Sequence, residues 1–127
     1  MIEVAAAIIK DGGKILICQR PEDKSCGLLW EFPGGKREVG ENLEECLVRE
    51  CQEELGIEIG IDGVYGKTIF DYPVERIAFT FFSARIIQGV PKLKEHEALA
   101  WVRPQGLRDY HFCPADEEII KKMVEAH

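Results

Sequence analysis

The sequence predicts an α/β domain built as a mixed sheet with helices on both faces. Apolar runs of strand length come first, and an acidic amphipathic segment, Asn42–Leu55, follows them. Further strand-like runs and a second amphipathic segment close the chain, an order that suits helix layers on either side of one sheet. No repeat, linker or low-complexity tract divides the 127 residues, so 1–127 are expected to form one domain around a single core.

Composition narrows the partners. With 46% hydrophobic and 31% charged residues the balance is that of a globular chain. A net charge of -7 argues against a nucleic-acid polymer, because no basic stripe exists to neutralise a row of phosphates. A small anion held through a cation stays compatible with that charge. The cysteines Cys18, Cys26, Cys46, Cys51 and Cys113 form no CxxC pair, and their odd number leaves one unpaired in any internal disulfide scheme. Reduced thiols suit the cytoplasm, where each would act as a small buried hydrophobe. The apolar run Val4–Ile9 is too brief for a signal-peptide core or a membrane span, so no membrane is expected.

Each element has a local reason. Residues 2–20 read as a hairpin turned at Asp11-Gly12-Gly13, where glycines supply the positive φ of a tight reversal. Residues 21–36 read as a loop, interrupted by Leu28-Leu29-Trp30 and closed by Phe32-Pro33-Gly34-Gly35. Asn42 can cap the helix that follows, Glu45 can complete a capping box, and Gly56 can stop it. At about 100° per residue, Leu47, Val48, Cys51 and Leu55 form its core stripe, with Glu50, Glu53 and Glu54 on the adjoining arc. Strands are expected at Val64–Phe70, Ile77–Ile87 and Ala98–Val102, an irregular stretch over 104–114, and a helix over 115–126 burying Ile119, Ile120, Met123 and Val124.

Glutamates three and four residues apart repel, so Glu50, Glu53 and Glu54 raise the helix's energy unless a positive group sits among them. Mg²⁺ answers that demand, since it takes oxygen ligands, keeps several waters, and commonly combines one or two carboxylates with substrate phosphates. Mn²⁺ is a possible substitute. A calcium hand is excluded by the absence of its spaced Asp, Asn and Gly ligands.

The spacing Gly35-x5-Glu41-x7-Arg49-Glu50-Cys51-x-Glu53-Glu54-x-Gly56-Ile57 resembles the complete Nudix box, with Cys51 where a bulky aliphatic is usual. The likeness extends over nearly the whole chain to MutT-type enzymes, through "LWEFPGGK" before the box and "CPADEEI" near the end. It implies a Nudix α/β/α sandwich and Mg²⁺-dependent hydrolysis of a nucleoside triphosphate to the monophosphate and pyrophosphate, clearing non-standard nucleotides. It leaves the oligomeric state open. Hydrolysis of ADP-ribose or a related diphosphate is the alternative among enzymes, for which Tyr72-Pro73 lies at a suitable distance beyond the box. A non-catalytic Nudix binding module is the alternative of another class, and a pure binder need not keep mutually repelling acids.

The resemblance also implies roles. Glu50, Glu53 and Glu54, the carbonyl of Gly34, and Glu95 on a later loop correspond to metal-ligand positions. Glu53 and Glu95 are the candidates for the general base, with Glu97 a near rival to the latter. Glu41 and Arg49 are expected to brace the loop by charge pairing, with Gly35 and Gly56 as structural positions of the box. Arg20 corresponds to a phosphate contact, and Phe32 and Asp116 are further substrate-binding candidates. Where 8-oxoguanine-selective relatives carry Asn, this chain has Asp116. If ionised it can only accept, which favours the amino group of cytosine or the pairing edge of guanine. Its plainer alternative role is to cap the closing helix.

Overall fold

The computed structural model describes residues 1–127. Strand β1 (Ile2–Asp11) runs through its middle and turns at Gly12-Gly13, whose φ of 58° and 80° permit the tight reversal into β2 (Lys14–Gln19). The hairpin is paired only near its tip, through Lys10 with Ile15 and Asp11 with Lys14. Beyond the tip its two strands serve different neighbours, as a twisted sheet that splits requires.

The segment 21–36, expected as a loop, contains two short strands, β3 (Trp30–Glu31) and β4 (Gly34–Lys36). β3 pairs antiparallel with β2, and β4 pairs antiparallel with β1, so this one segment joins both halves of the sheet. Pairs this brief leave no periodic trace in sequence, which is why pattern reading passes over them. Helix α1 (Leu43–Leu55) follows with the expected cap. Asn42 Oδ1 accepts from the Glu45 amide at 2.8 Å, and Glu45 Oε1 accepts from the Asn42 amide at 2.9 Å. Gly56 ends it at φ 67°, a left-handed conformation that a side chain would strain.

β5 (Glu58–Asp71) begins before the expected Val64 and is kept in register with β6 (Arg76–Gln88) by irregularities near Gly63 and Gly66. β6 lies parallel to β1 from Ile2/Ile77 to Ile9/Ala84, and β7 (Ala98–Val102) pairs antiparallel with β2. The expected irregular stretch holds a short 3₁₀ turn, Pro104–Asp109, and the closing helix α2 (Glu117–Glu125) is preceded by another, Pro114–Asp116.

Alternation along β1 separates two cores. Ala5, Ala7 and Ile9 pack with Leu47, Cys51, Leu55 and Phe82 beneath α1, while Ala6 and Ile8 pack with Phe32, Phe81, Ile119 and Met123 beneath α2. The result is the expected α/β/α sandwich. The five cysteines are free, four of them buried, in keeping with the small-hydrophobe reading.

One helical expectation fails. Val48 is 38% exposed, whereas Cys46 is fully buried, so the core stripe of α1 is rotated toward Leu43, Cys46 and Glu50. Glu54 follows Leu47 by about two turns and shares its line. The acids therefore stand at the margin of the buried face and partly within it.

Candidate functional site

The site forms where α1 meets the strand pair β3 and β4. Gly34 and Gly35 lie opposite Ala6 and Ala5 of β1, and a side chain on either glycine would collide, at Gly34 with the Ala5 carbonyl and at Gly35 with the Glu50 carboxyl. The Gly34 amide donates to Glu54 Oε1 at 3.2 Å. The two glycines thus touch the acids of α1 and also line a cavity of about 430 Å³.

Burial dominates the electrostatics of these acids. Desolvation, with Glu31 and Glu50 nearby, pushes the Glu54 carboxyl up from 4.5 to about 9 against the pull of the Gly34 amide. Glu50 is also raised, first by burial, and hydrogen bonds from Arg49 oppose the shift. Glu53 is exposed. Arg49 Nη1 lies 2.7 Å from Glu50 Oε1 and 3.2 Å from Glu53 Oε2, filling the positive position that their repulsion demands.

The same guanidinium binds Glu41 through two nitrogens, Nη2 to Oε1 at 2.7 Å and Nε to Oε2 at 3.0 Å. Glu41 Oε1 in turn accepts from the Glu38 amide at 2.8 Å, and Arg49 Nη2 donates to the Lys36 carbonyl at 3.3 Å. Hydrogen bonding from Arg49, then from Glu38, lowers the Glu41 carboxyl to about 2. The loop before α1 is tied to the helix at several points by one side chain.

No three His, Cys, Asp or Glu side chains converge as a finished ligand set, because Arg49 engages Glu50 and Glu53. The donor chemistry nevertheless fits a hard dication. Burial, with Glu31 and Glu50 nearby, raises the Glu54 carboxyl, which a cation beside it would offset, and the bare Gly35 backbone lets the Glu50 carboxyl approach. Glu95, exposed on the loop between β6 and β7, is close enough to raise both Glu50 and Glu54. Glu97 is exposed, and its amide donates to the Gln19 carbonyl at 2.8 Å.

The cavity wall brings together the remaining expected residues. Arg20, Phe32 and Asp116 all line it. Phe32 is 3% exposed and packs edge-on against Phe81 with centroids 6.1 Å apart. Arg20 donates through Nη1 to Glu31 Oε1 at 2.9 Å and through Nε to the Ser25 carbonyl at 2.6 Å. Asp116 stands at the start of α2 yet makes no side-chain capping bond, so the capping role fails. Burial, then Glu31 and Glu117, hold its carboxyl well above the usual range, with Arg20 opposing. Burial thus disfavours the ionised form on which the acceptor-only reading depends.

Sequence reading missed Glu31 and His96. Glu31 lines the cavity, pairs with Arg20, and bears on both Glu54 and Asp116, while His96 Nε2 lies 3.1 Å from Glu31 Oε2. An acid flanked by Trp30 and Phe32 in a stretch leading into the box was the available signal for Glu31. His96, which comes from a distant loop, gave none.

An α/β/α sandwich with metal-suited glutamates beside a cavity of nucleotide dimensions has the build of a hydrolase acting on phosphoanhydride bonds. The chain belongs to the NUDIX domain family, whose profile matches residues 4–122. It is 38% identical over 124 residues to the CTP pyrophosphohydrolase of Escherichia coli strain K12, covering 98% of this chain and 92% of that protein. It is 36% identical over 129 residues to the 8-oxo-dGTP diphosphatase of Haemophilus influenzae, covering 100% and 95%. The solution structure of the E. coli ORF135 protein superposes with a TM-score of 0.83 at 37% identity, covering 95% of this chain and 86% of that one. The chain is a MutT-like Nudix hydrolase, and enzymes of this type use a divalent metal.

Proposed function

We propose that residues 1–127 act as one Nudix domain that hydrolyses nucleoside triphosphates to nucleoside monophosphates and pyrophosphate with Mg²⁺, clearing altered nucleotides from the cytoplasmic pool. The observation that carries the reading is the shared wall of Gly34 and Gly35. Glu54 and Glu50 contact these glycines, which also line a cavity together with Arg20, Glu31 and Asp116. Glu50, Glu53, Glu54, the Gly34 carbonyl and Glu95 would hold the metal, and Mn²⁺ would substitute on the same oxygen donors. When bound, the ion supplies neutralisation of phosphate charge and acidification of water.

The chain's own residues divide the remaining work. Arg20, which lines the cavity wall, would contact phosphate oxygens through its guanidinium. Glu53, exposed and ionisable, and Glu95 on its loop are the groups able to accept a proton from attacking water. Arg49 and Glu41 keep the loop in place, and Phe32 shapes the cavity floor. No helix is long and apolar enough to cross a membrane.

Asp116 gives the base reading. In the neutral form that its burial favours, it donates through O–H and accepts through the carbonyl oxygen. That pair of functions fits cytosine, by donating to ring N3 and accepting from the amino group. It equally fits 8-oxoguanine, by donating to O6 and accepting from N7–H. Both base classes named for the relatives are therefore compatible with one side chain.

Pyrophosphate release from CTP, dCTP, 5-modified dCTP, dGTP and 8-oxo-dGTP tests the proposal, with ADP-ribose as comparison. Mg²⁺-dependent release that EDTA abolishes is expected for cytosine nucleotides or 8-oxo-dGTP. Turnover confined to ADP-ribose overturns the triphosphate reading.

A further inference from the structure

The loop joining β6 to β7 presents two consecutive residues in opposite directions. Glu95 is exposed, while the His96 side chain is 3% exposed. His96 Nε2 lies 3.1 Å from Glu31 Oε2, and its Nδ1 is buried with no hydrogen-bond partner. The other Glu31 oxygen accepts from Arg20 at 2.9 Å. Each oxygen of this carboxylate is thus held by a different side chain.

The orphaned Nδ1 decides the tautomer. A buried N–H without an acceptor is rarer and costlier than an unfilled lone pair, so the ring proton belongs on Nε2. Nε2–H then donates to Glu31, and Nδ1 is left as a bare acceptor. A side chain oriented this way inside the protein is a brace for the group it touches. The loop is independently fastened, the Lys92 amide donating to the Leu55 carbonyl at 2.9 Å and the Glu97 amide to the Gln19 carbonyl at 2.8 Å.

Glu31 has reason to need a brace. It lies close enough to raise both the Glu54 and Asp116 carboxyls, and Arg20, which holds its other oxygen, also lines the cavity. When a substrate's phosphates draw on Arg20, Glu31 would lose the bond that orients it unless the opposite oxygen were held. We propose that His96 is a positioning residue that, through Nε2–H, locks the Glu31 carboxylate in the cavity wall and so sets substrate affinity. The inference rests on the nucleotide reading above for its consequence, but not for the bond itself.

Two measurements separate the two. The first is long-range ¹H–¹⁵N NMR of the metal-free protein, with His96 assigned among the chain's three histidines by its loss in His96→Gln. The Nε2–H tautomer is expected, with its protonated nitrogen shifting in Glu31→Gln. A proton on Nδ1, or no response to Glu31→Gln, overturns the bond whatever the enzyme hydrolyses. The second is steady-state kinetics on the best nucleoside triphosphate. Glutamine places an amide where Nε2 stood, whereas asparagine falls short and leucine offers no donor. His96→Leu and His96→Asn should raise KM about tenfold with little change in kcat, and His96→Gln should restore most of it. In a Glu31→Ala background His96→Leu should add less than about twofold. A Gln variant that melts normally yet matches Leu in KM, or full additivity with Glu31→Ala, overturns the positioning role. Absence of all turnover with the expected NMR result overturns the nucleotide reading and leaves the bond standing.

Discussion

Two arginines organise the site, and they do so under similar burial but from different kinds of sequence. Arg49 is 25% exposed and gathers Glu41, Glu50 and Glu53, while Arg20 is 26% exposed and holds Glu31, which His96 grips from the other side. Arg49 sits among acids whose mutual repulsion its guanidinium offsets, within one helix and the loop before it. Arg20 sits in the cavity wall, where Glu31 links it to His96 across the sheet. The first is machinery for charge and the second is machinery for shape.

The sharpest break of that comparison is at α1. In the metal-free protein burial favours the uncharged form of Glu54, so Glu54→Gln should barely change the melting temperature near pH 5 and should raise it above that. Turnover should fall on the order of 10³-fold, since a carboxylate that would ligand the ion is gone. Glu53→Gln should behave likewise, its exposed side chain contributing little to folding. Initial rates and melting curves check both, and near-normal turnover in the pair would remove α1 from the chemistry.

Glu41 probes the brace. Glu41→Gln removes charge from the bidentate contact with Arg49 and should lower stability and activity together, the rate by about ten- to a hundredfold as the loop loses its geometry. Urea unfolding beside kinetics tests this. Activity lost at unchanged stability and metal affinity would make Glu41 a chemical group.

The contrast between the arginines also explains what the sequence could reveal. Arg49 and Glu41 are eight residues apart, within one loop and one helix, so fixed spacing forces their meeting and the box is legible in one dimension. His96 and Glu31 are 65 residues apart and meet because β3 and β7 both pair with β2. No local pattern encodes that meeting. Similarly, α1 and its caps were legible because periodicity and capping chemistry are local, whereas β3 and β4 owe their existence to partners and were read as loop. Val48 misled because it lies at the edge of the apolar arc, where the position of the sheet, not the helix, decides burial.

The pH dependence of stability separates the charge machinery from the rest. Glu54 has its folded value raised from 4.5 to about 9, so the folded chain keeps a proton that the unfolded chain releases between those values. Its contribution is whole below pH 4.5 and is lost as pH rises through about 9. In EDTA the melting temperature should therefore drop by several degrees from pH 5 to 9. Asp116 is shifted in the same direction, so the difference between wild type and Glu54→Gln isolates Glu54, and it should widen toward high pH as wild type falls below the variant. Mg²⁺ favours the ionised form and should reverse the trend, stabilising more as pH rises. Parallel curves for the two proteins in EDTA would mean that Glu54 is not held protonated.

The smallest effect is expected at Asp116, and its smallness is the test. An ionised aspartate presents two acceptors, and Asp116→Asn would then add a donor and reorder the bases. A neutral aspartic acid already presents one donor and one acceptor, as an amide does, so Asp116→Asn should leave the ranking of CTP, dCTP, dGTP and 8-oxo-dGTP almost unchanged. Asp116→Leu removes both functions from a residue that is 5% exposed and should cost about 1 to 3 kcal/mol of discrimination. Because Asp116 makes no capping bond, neither change acts through the helix end, and melting curves will register only the loss of buried polarity. kcat/KM for the four nucleotides in the three proteins decides the matter. A reordered ranking in Asp116→Asn would show that the carboxyl meets the base ionised, whereas an unchanged ranking in Asp116→Leu would move base recognition to Glu31 and the Arg20 wall.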